Sequence, residues 1–145
     1  MSRLLTVCLL AGCGMVSVLA ASHSAQKTSM AGDRANASEE TIEGLVRDVA
    51  CPIQNLDGTA TNLSLKCVRA CVRGGSPLVI LTKDGHLYFP ISDKMPDTDQ
   101  REALMPFVGK YVRASGTVFE RMGTHAIVIA EIKEMKEIHL TIDER

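Results

Sequence analysis

Three cysteines carry most of the chemistry this chain could do. Cys51 lies in DVACP, and Cys67 and Cys71 lie in KCVRACVRGG. Three thiolates converging from a strand end and a helix face suit a soft ion, either Cu(I) or Zn with a fourth ligand. The same residues could instead form one disulfide and leave one free thiol, and this is the main expectation. Three neighbouring thiols would also let a disulfide migrate, as thiol–disulfide exchange requires. No C-x-x-C is present to favour that use.

Spacing narrows the pairing. On a helix turning about 100° per residue, Cys67 and Cys71 fall about 40° apart. Helix neighbours four apart have Cβ atoms about 5–6 Å apart. A disulfide brings them to about 3.8 Å, so a Cys67–Cys71 bond would strain the helix. A bond from Cys51 to either is easier and would close a loop of roughly 16 to 20 residues, contributing about 3 kcal/mol. Lys66, Arg69 and Arg73 fall on the opposite side. That stripe reads as the solvent face, with the cysteines leaning toward the domain and the leftover thiol buried. Thiols turned away from the cations lack the electropositive setting of a reactive nucleophile.

The compartment follows from the start of the chain. Arg3 precedes an apolar run from Leu4 to about Ala21, and polar residues follow. Residues 1–21 therefore read as an export signal. Leu10-Ala11-Gly12-Cys13 also has the form of a lipobox, which gives the alternative of a lipoprotein anchored to the membrane through Cys13. Removal of the signal takes Cys8 and Cys13 with it and leaves an odd count of three. An exported domain meets a disulfide-permissive, periplasmic or extracellular setting.

The elements that must position the thiols come next. Residues 22–40 are small and polar and read as a flexible spacer. TIEGLVRDVAC forms strand one, ended by Pro52, and 53–62 is turn-rich. Asn62 or Ser64 caps a helix that Gly74-Gly75 stops. Two apolar runs flank Lys83-Asp84-Gly85, a hairpin signal, and give strands two and three. Thr98 or Asp99 caps a second helix. Strand four, KYVRASGTVFER, carries Val112, Ala114, Gly116 and Val118 on one face. Strand five, THAIVIAEI, is nearly continuously apolar and reads as central. The tail, 138–145, is an edge strand or a frayed end. The order is strand, Cys-bearing helical insert, strand, strand, helix, strand, strand. That is an all-β-leaning domain over 41–137 with two short helices, a five-stranded OB-like barrel whose Cys-bearing helical insert lies between strands one and two.

The pieces G-L-V-R-D-V-A-C at 44–51, C-V-R-A-C-V-R-G-G-S-P-L at 67–78, D-G-H-L-Y at 84–88, G-K-Y-V at 109–112, G-T-V-F-E-R at 116–121 and A-I-V-I at 126–129 occur in a specific order. In that order the chain resembles a family of small exported bacterial OB-fold-like domains with no established activity. The resemblance spans nearly all of the domain and implies its fold and its address. It transfers no chemistry. Some members carry a histidine in the loop before the cysteine pair; residues 52–66 here hold none.

Composition excludes other classes. The net charge is −1, with no Trp, two Tyr and three Phe among 145 residues. Neither a phosphate-tracking surface nor a base-stacking platform follows, so nucleic acid is not an expected partner. No phosphate-binding glycine loop, H-E-x-x-H or nucleophile elbow occurs, so catalytic residues are not assigned. His86 and His125 near hairpin turns read as solvated, and Asp97, Asp99 and Glu102 read as a cap and a solvated face. The expected function is that of an exported binding module for a protein or small ligand, with Cys51, Cys67 and Cys71 as its one notable cluster.

Overall fold

The structure is a computed structural model that describes residues 36–55 and 58–143. The export signal, Cys8, Cys13 and most of the spacer lie outside the described residues.

Among the described residues the elements run β1 (Ala37–Asp48), α1 (Ala50–Gln54), β2 (Asn62–Ser64), α2 (Leu65–Arg73), β3 (Leu78–Thr82), β4 (Leu87–Pro90), α3 (Arg101–Leu104), a 3-10 turn (Met105–Phe107), β5 (Tyr111–Arg121), β6 (Thr124–Glu134) and β7 (Thr141–Asp143). Five strands close into a barrel in the order β1-β3-β4-β6-β5. All neighbours are antiparallel except β4 and β6, where Tyr88 pairs with His125 in parallel. This is the OB-like barrel with its helix between the third and fourth barrel strands.

β1 is the hinge of the barrel. Its N-terminal half pairs with β5, from Ala37 opposite Phe119 to Leu45 opposite Tyr111. Its C-terminal half pairs with β3, from Gly44 opposite Thr82 to Asp48 opposite Leu78. The strand changes partners at Gly44, where a Cβ would come within 2.4 Å of the Leu81 carbonyl oxygen. Only a residue without a side chain lets the two backbones approach so closely. Gly116 plays the matching part on β5 beside a bulge, where a Cβ would lie 2.0 Å from the Val128 carbonyl oxygen. Bulges and glycines of this kind give the curvature that closure needs.

The core is aliphatic. Leu45, Val46, Ile80, Val112, Ile127 and Leu104 are completely buried. Val112, Ala114 and Val118 share the inner face of β5, as their alternation predicts. β6 differs from its expectation: of its apolar run only Ile127 is fully buried, and Ala130 is exposed. The run fills one inner face and leaves the other side of the strand partly open.

Three local features also differ from the sequence reading. β1 begins at Ala37, so residues 37–40, assigned to the spacer, are strand paired with β5. Pro52 sits inside α1 rather than ending a strand, which its missing N–H permits in a first turn. The tail does form a strand, but β7 pairs in parallel with β2 rather than with the barrel. This small second sheet lies beside the Cys-bearing helix. No described helix is long and apolar enough to cross a membrane.

Candidate metal centre

Two short helices carry the thiols. Asp48 ends β1, and its Oδ2 accepts a hydrogen bond from the Cys51 N–H at 2.9 Å. That bond turns the chain from strand into α1 and fixes Cys51 in the first helical turn. Ser64 caps α2, its Oγ accepting from the Cys67 N–H. At the other end Arg101 donates to the Val72 carbonyl and, at 3.1 Å, to the Ser76 carbonyl. Val68 and Val72 are the buried residues of α2, packed into the core.

The three sulfurs meet where α1 faces α2. Cys51 Sγ lies 3.4 Å from Cys67 Sγ and 4.0 Å from Cys71 Sγ, and all three lie within 4.8 Å of one another. All three are free thiols. Sulfurs bound to one ion at about 2.3 Å in tetrahedral or trigonal geometry stand roughly 3.8–4.0 Å apart. The spacing therefore suits a shared ion, and the cluster is a three-thiol arrangement able to coordinate a metal. Among the described residues no other histidine, cysteine or carboxylate joins the group. His86 and His125 do not approach it; their rings stack edge-on at 4.6 Å beside Tyr88.

Exposure corrects one expectation. Cys67 is exposed, while Cys51 and Cys71 are half-buried. The cysteines do not point into the barrel, because Val68 and Val72 follow them by one residue, about 100° round the helix. Burial of the valines places Cys67 and Cys71 at the edge of the packed face. The basic stripe is where the wheel puts it: Lys66, Arg69 and Arg73 are exposed.

The electrostatics hold protons on. Burial, a hydrogen bond with Cys67 and the Asp48 carboxylate together push the Cys51 thiol up to about 12. Burial and the negative charge of Asp48 raise Cys71 as well. Asp48 is completely buried, and its Oδ1 has no hydrogen-bond partner among the described residues. A buried, half-satisfied carboxylate beside three thiols is costly on its own and favourable beside a cation. Neither Cys51 nor Cys71 has the lowered pKa of a reactive thiolate.

Asp48 and Arg47 gave little signal in the sequence. Arg47 is only 3% exposed. It lines a cavity of about 560 Å³, together with Cys51, Cys67 and residues of β2 and β7. A charged pair at the end of an otherwise apolar strand run, GLVRD, was the available clue.

The chain matches no protein-family model, and no curated protein or solved structure is similar enough to count as a match. The chemistry of the site therefore rests on its own geometry.

Proposed function

We propose that this is an exported OB-like domain that binds a soft, thiophilic ion through Cys51, Cys67 and Cys71. The observation that carries the reading is the convergence of three free sulfurs within 4.8 Å from two separate helices. Soft thiolate ligands select Cu(I), Zn and related ions. Three sulfurs without a fourth protein ligand among the described residues suit three-coordinate Cu(I) best. Zn would take a fourth ligand from solvent or a partner. The unpartnered Asp48 oxygen adds negative potential beside the trio. Export is supported by the charged start, apolar centre and small-residue exit of residues 1–21, and retention through a lipid on Cys13 is the variant of that address. The net charge of −1 and the few aromatics support a function apart from nucleic acid.

A second reading keeps a Cys51–Cys67 disulfide with Cys71 free, favoured by the 3.4 Å separation of those two sulfurs. Anaerobic titration of the reduced, exported protein with Cu(I) against a chromophoric chelator separates the two. The metal reading expects one ion per chain, visible in the native mass, and a rise in Tm on loading, since an ion bound only to the native state stabilises it. Each of Cys51→Ser, Cys67→Ser and Cys71→Ser should weaken binding by at least about a hundredfold, beyond what losing an outer-shell partner costs. A protein that carries a disulfide when isolated and ignores the ion after reduction overturns it.

A further inference from the structure

Arg47 is a buried cation that forms no ion pair with a described carboxylate. Its Nη1 donates to two neutral carbonyls, those of Thr59 and Asn62, both at a long 3.4 Å. Its Nε is buried and has no partner among the described residues. The ion pairs among the described residues, such as Arg113 with Glu43 and Lys110 with Glu134, do not include it. A buried guanidinium normally has an anion against its fork, because desolvation without a counter-charge costs several kcal/mol.

The same side chain forms part of the wall of the 560 Å³ cavity. That volume lies in the range of small-molecule sites, about 300–1,000 Å³. Leu63 and Ile142, paired across β2 and β7, give the cavity an apolar wall. Asn62 and Thr141 add polar groups, and Cys51 and Cys67 form the edge toward the thiols. Asp143 also lines the space, so a single positive charge has to serve any anion that enters. A single guanidinium in a wall that also holds an acidic residue suits a monoanion rather than a phosphate dianion.

We propose that this cavity binds a small monocarboxylic acid, its carboxylate against the buried Arg47 and its short apolar body against Leu63 and Ile142. The bound acid lies along the side of the thiol trio formed by Cys51 and Cys67 and covers it. The site does not depend on the metal reading and is tested on metal-free protein.

Reduced, metal-free exported protein is titrated with butyrate and followed by amide NMR. The expected result is saturable shifts at Gly58, Asn62 and Thr141. Arg47→Met should weaken binding at least about tenfold, the worth of a hydrogen bond to a charged group. Ile142→Trp, on an exposed strand at the cavity wall, should abolish binding by filling the space. It decides the matter if Arg47→Met does not fold. Absence of saturation, unchanged binding in folded Arg47→Met or in Ile142→Trp, or inorganic phosphate saturating the same amides more tightly than butyrate overturns the proposal. Metal titration of the same sample reads the thiol site separately, so either conclusion can fall alone.

Discussion

Cys51 Sγ stands 3.4 Å from Cys67 Sγ but 4.0 Å from Cys71 Sγ, and Cys67 is the exposed member of the trio. Oxidation should follow that asymmetry. The nearer pair needs the smaller movement to reach the roughly 2.05 Å of a disulfide, and the exposed thiol is open to an oxidant. Mild oxidation of the metal-free protein is expected to link Cys51 to Cys67 and leave Cys71 alkylatable. The bond should raise stability toward urea by about 3 kcal/mol, the chain-entropy value for a loop of this size. It should also abolish metal loading. Peptide mapping after alkylation checks the linkage, and a dominant Cys51–Cys71 bond would contradict the geometry.

Asp48 is expected to set the reactivity of the site. Its carboxylate contributes to the raised values of both Cys51 and Cys71. In Asp48→Asn the negative charge is gone, while the amide oxygen can still accept the Cys51 N–H that starts α1. Both thiols then ionise more readily, and their alkylation at pH 8 should speed up severalfold. Rates at Cys51 and Cys71, read peptide by peptide, make the measurement. Unchanged rates in a folded variant would remove Asp48 from the electrostatic account.

Much of the barrel was legible in the sequence because its signals are local. Asp84-Gly85 marks the β3–β4 turn, and the alternation of Val112, Ala114 and Val118 marks the inner face of β5. Cys67 and Cys71 were legible as a pair on one helix because Ser64 caps it and Gly74 ends it. What escaped depends on distant partners. The β2–β7 pair joins Asn62 to Thr141, three residues on each side, too short for any period to register. Arg47 is buried because the Thr59 and Asn62 carbonyls reach over it, which nothing within β1 announces. The exposure of Cys67 turns on a one-residue offset from Val68, finer than a wheel drawn without the barrel can resolve.

The metal-free protein should lose stability in alkali. Cys51 titrates near 12 when folded, against an ordinary value of 9.0. Between those values the unfolded chain has released the proton and the folded chain still holds it, so rising pH favours unfolding. The contribution is intact below about pH 9 and is lost progressively above it. Cys71, Tyr88 and Tyr111 are raised by burial and act in the same direction. The urea midpoint of the reduced protein is expected to fall from pH 8.5 upward, and Cys51→Ser should flatten the fall. An equally steep fall in that variant would assign the effect to the tyrosines and Cys71 instead.

Arg101 is expected to act on the metal without touching it. Its guanidinium holds the Val72 and Ser76 carbonyls at the end of α2, one residue from Cys71 and five beyond it. Removing it leaves the carbonyls at a helix end without that partner, and the last turn should fray. In Arg101→Ala the amides of Gly74 and Gly75, which donate to Ala70 and Val72, should exchange faster with solvent. Metal affinity should drop about 10- to 100-fold, as for other residues that orient ligands from outside. Arg101→Lys retains a donor but not the fork and should recover part of the loss. The thiol count and the native mass of the loaded protein should stay as in the parent, since no ligand has been removed. Faster exchange with unchanged affinity would show that Cys71 is held by the packing of Val68 and Val72 alone.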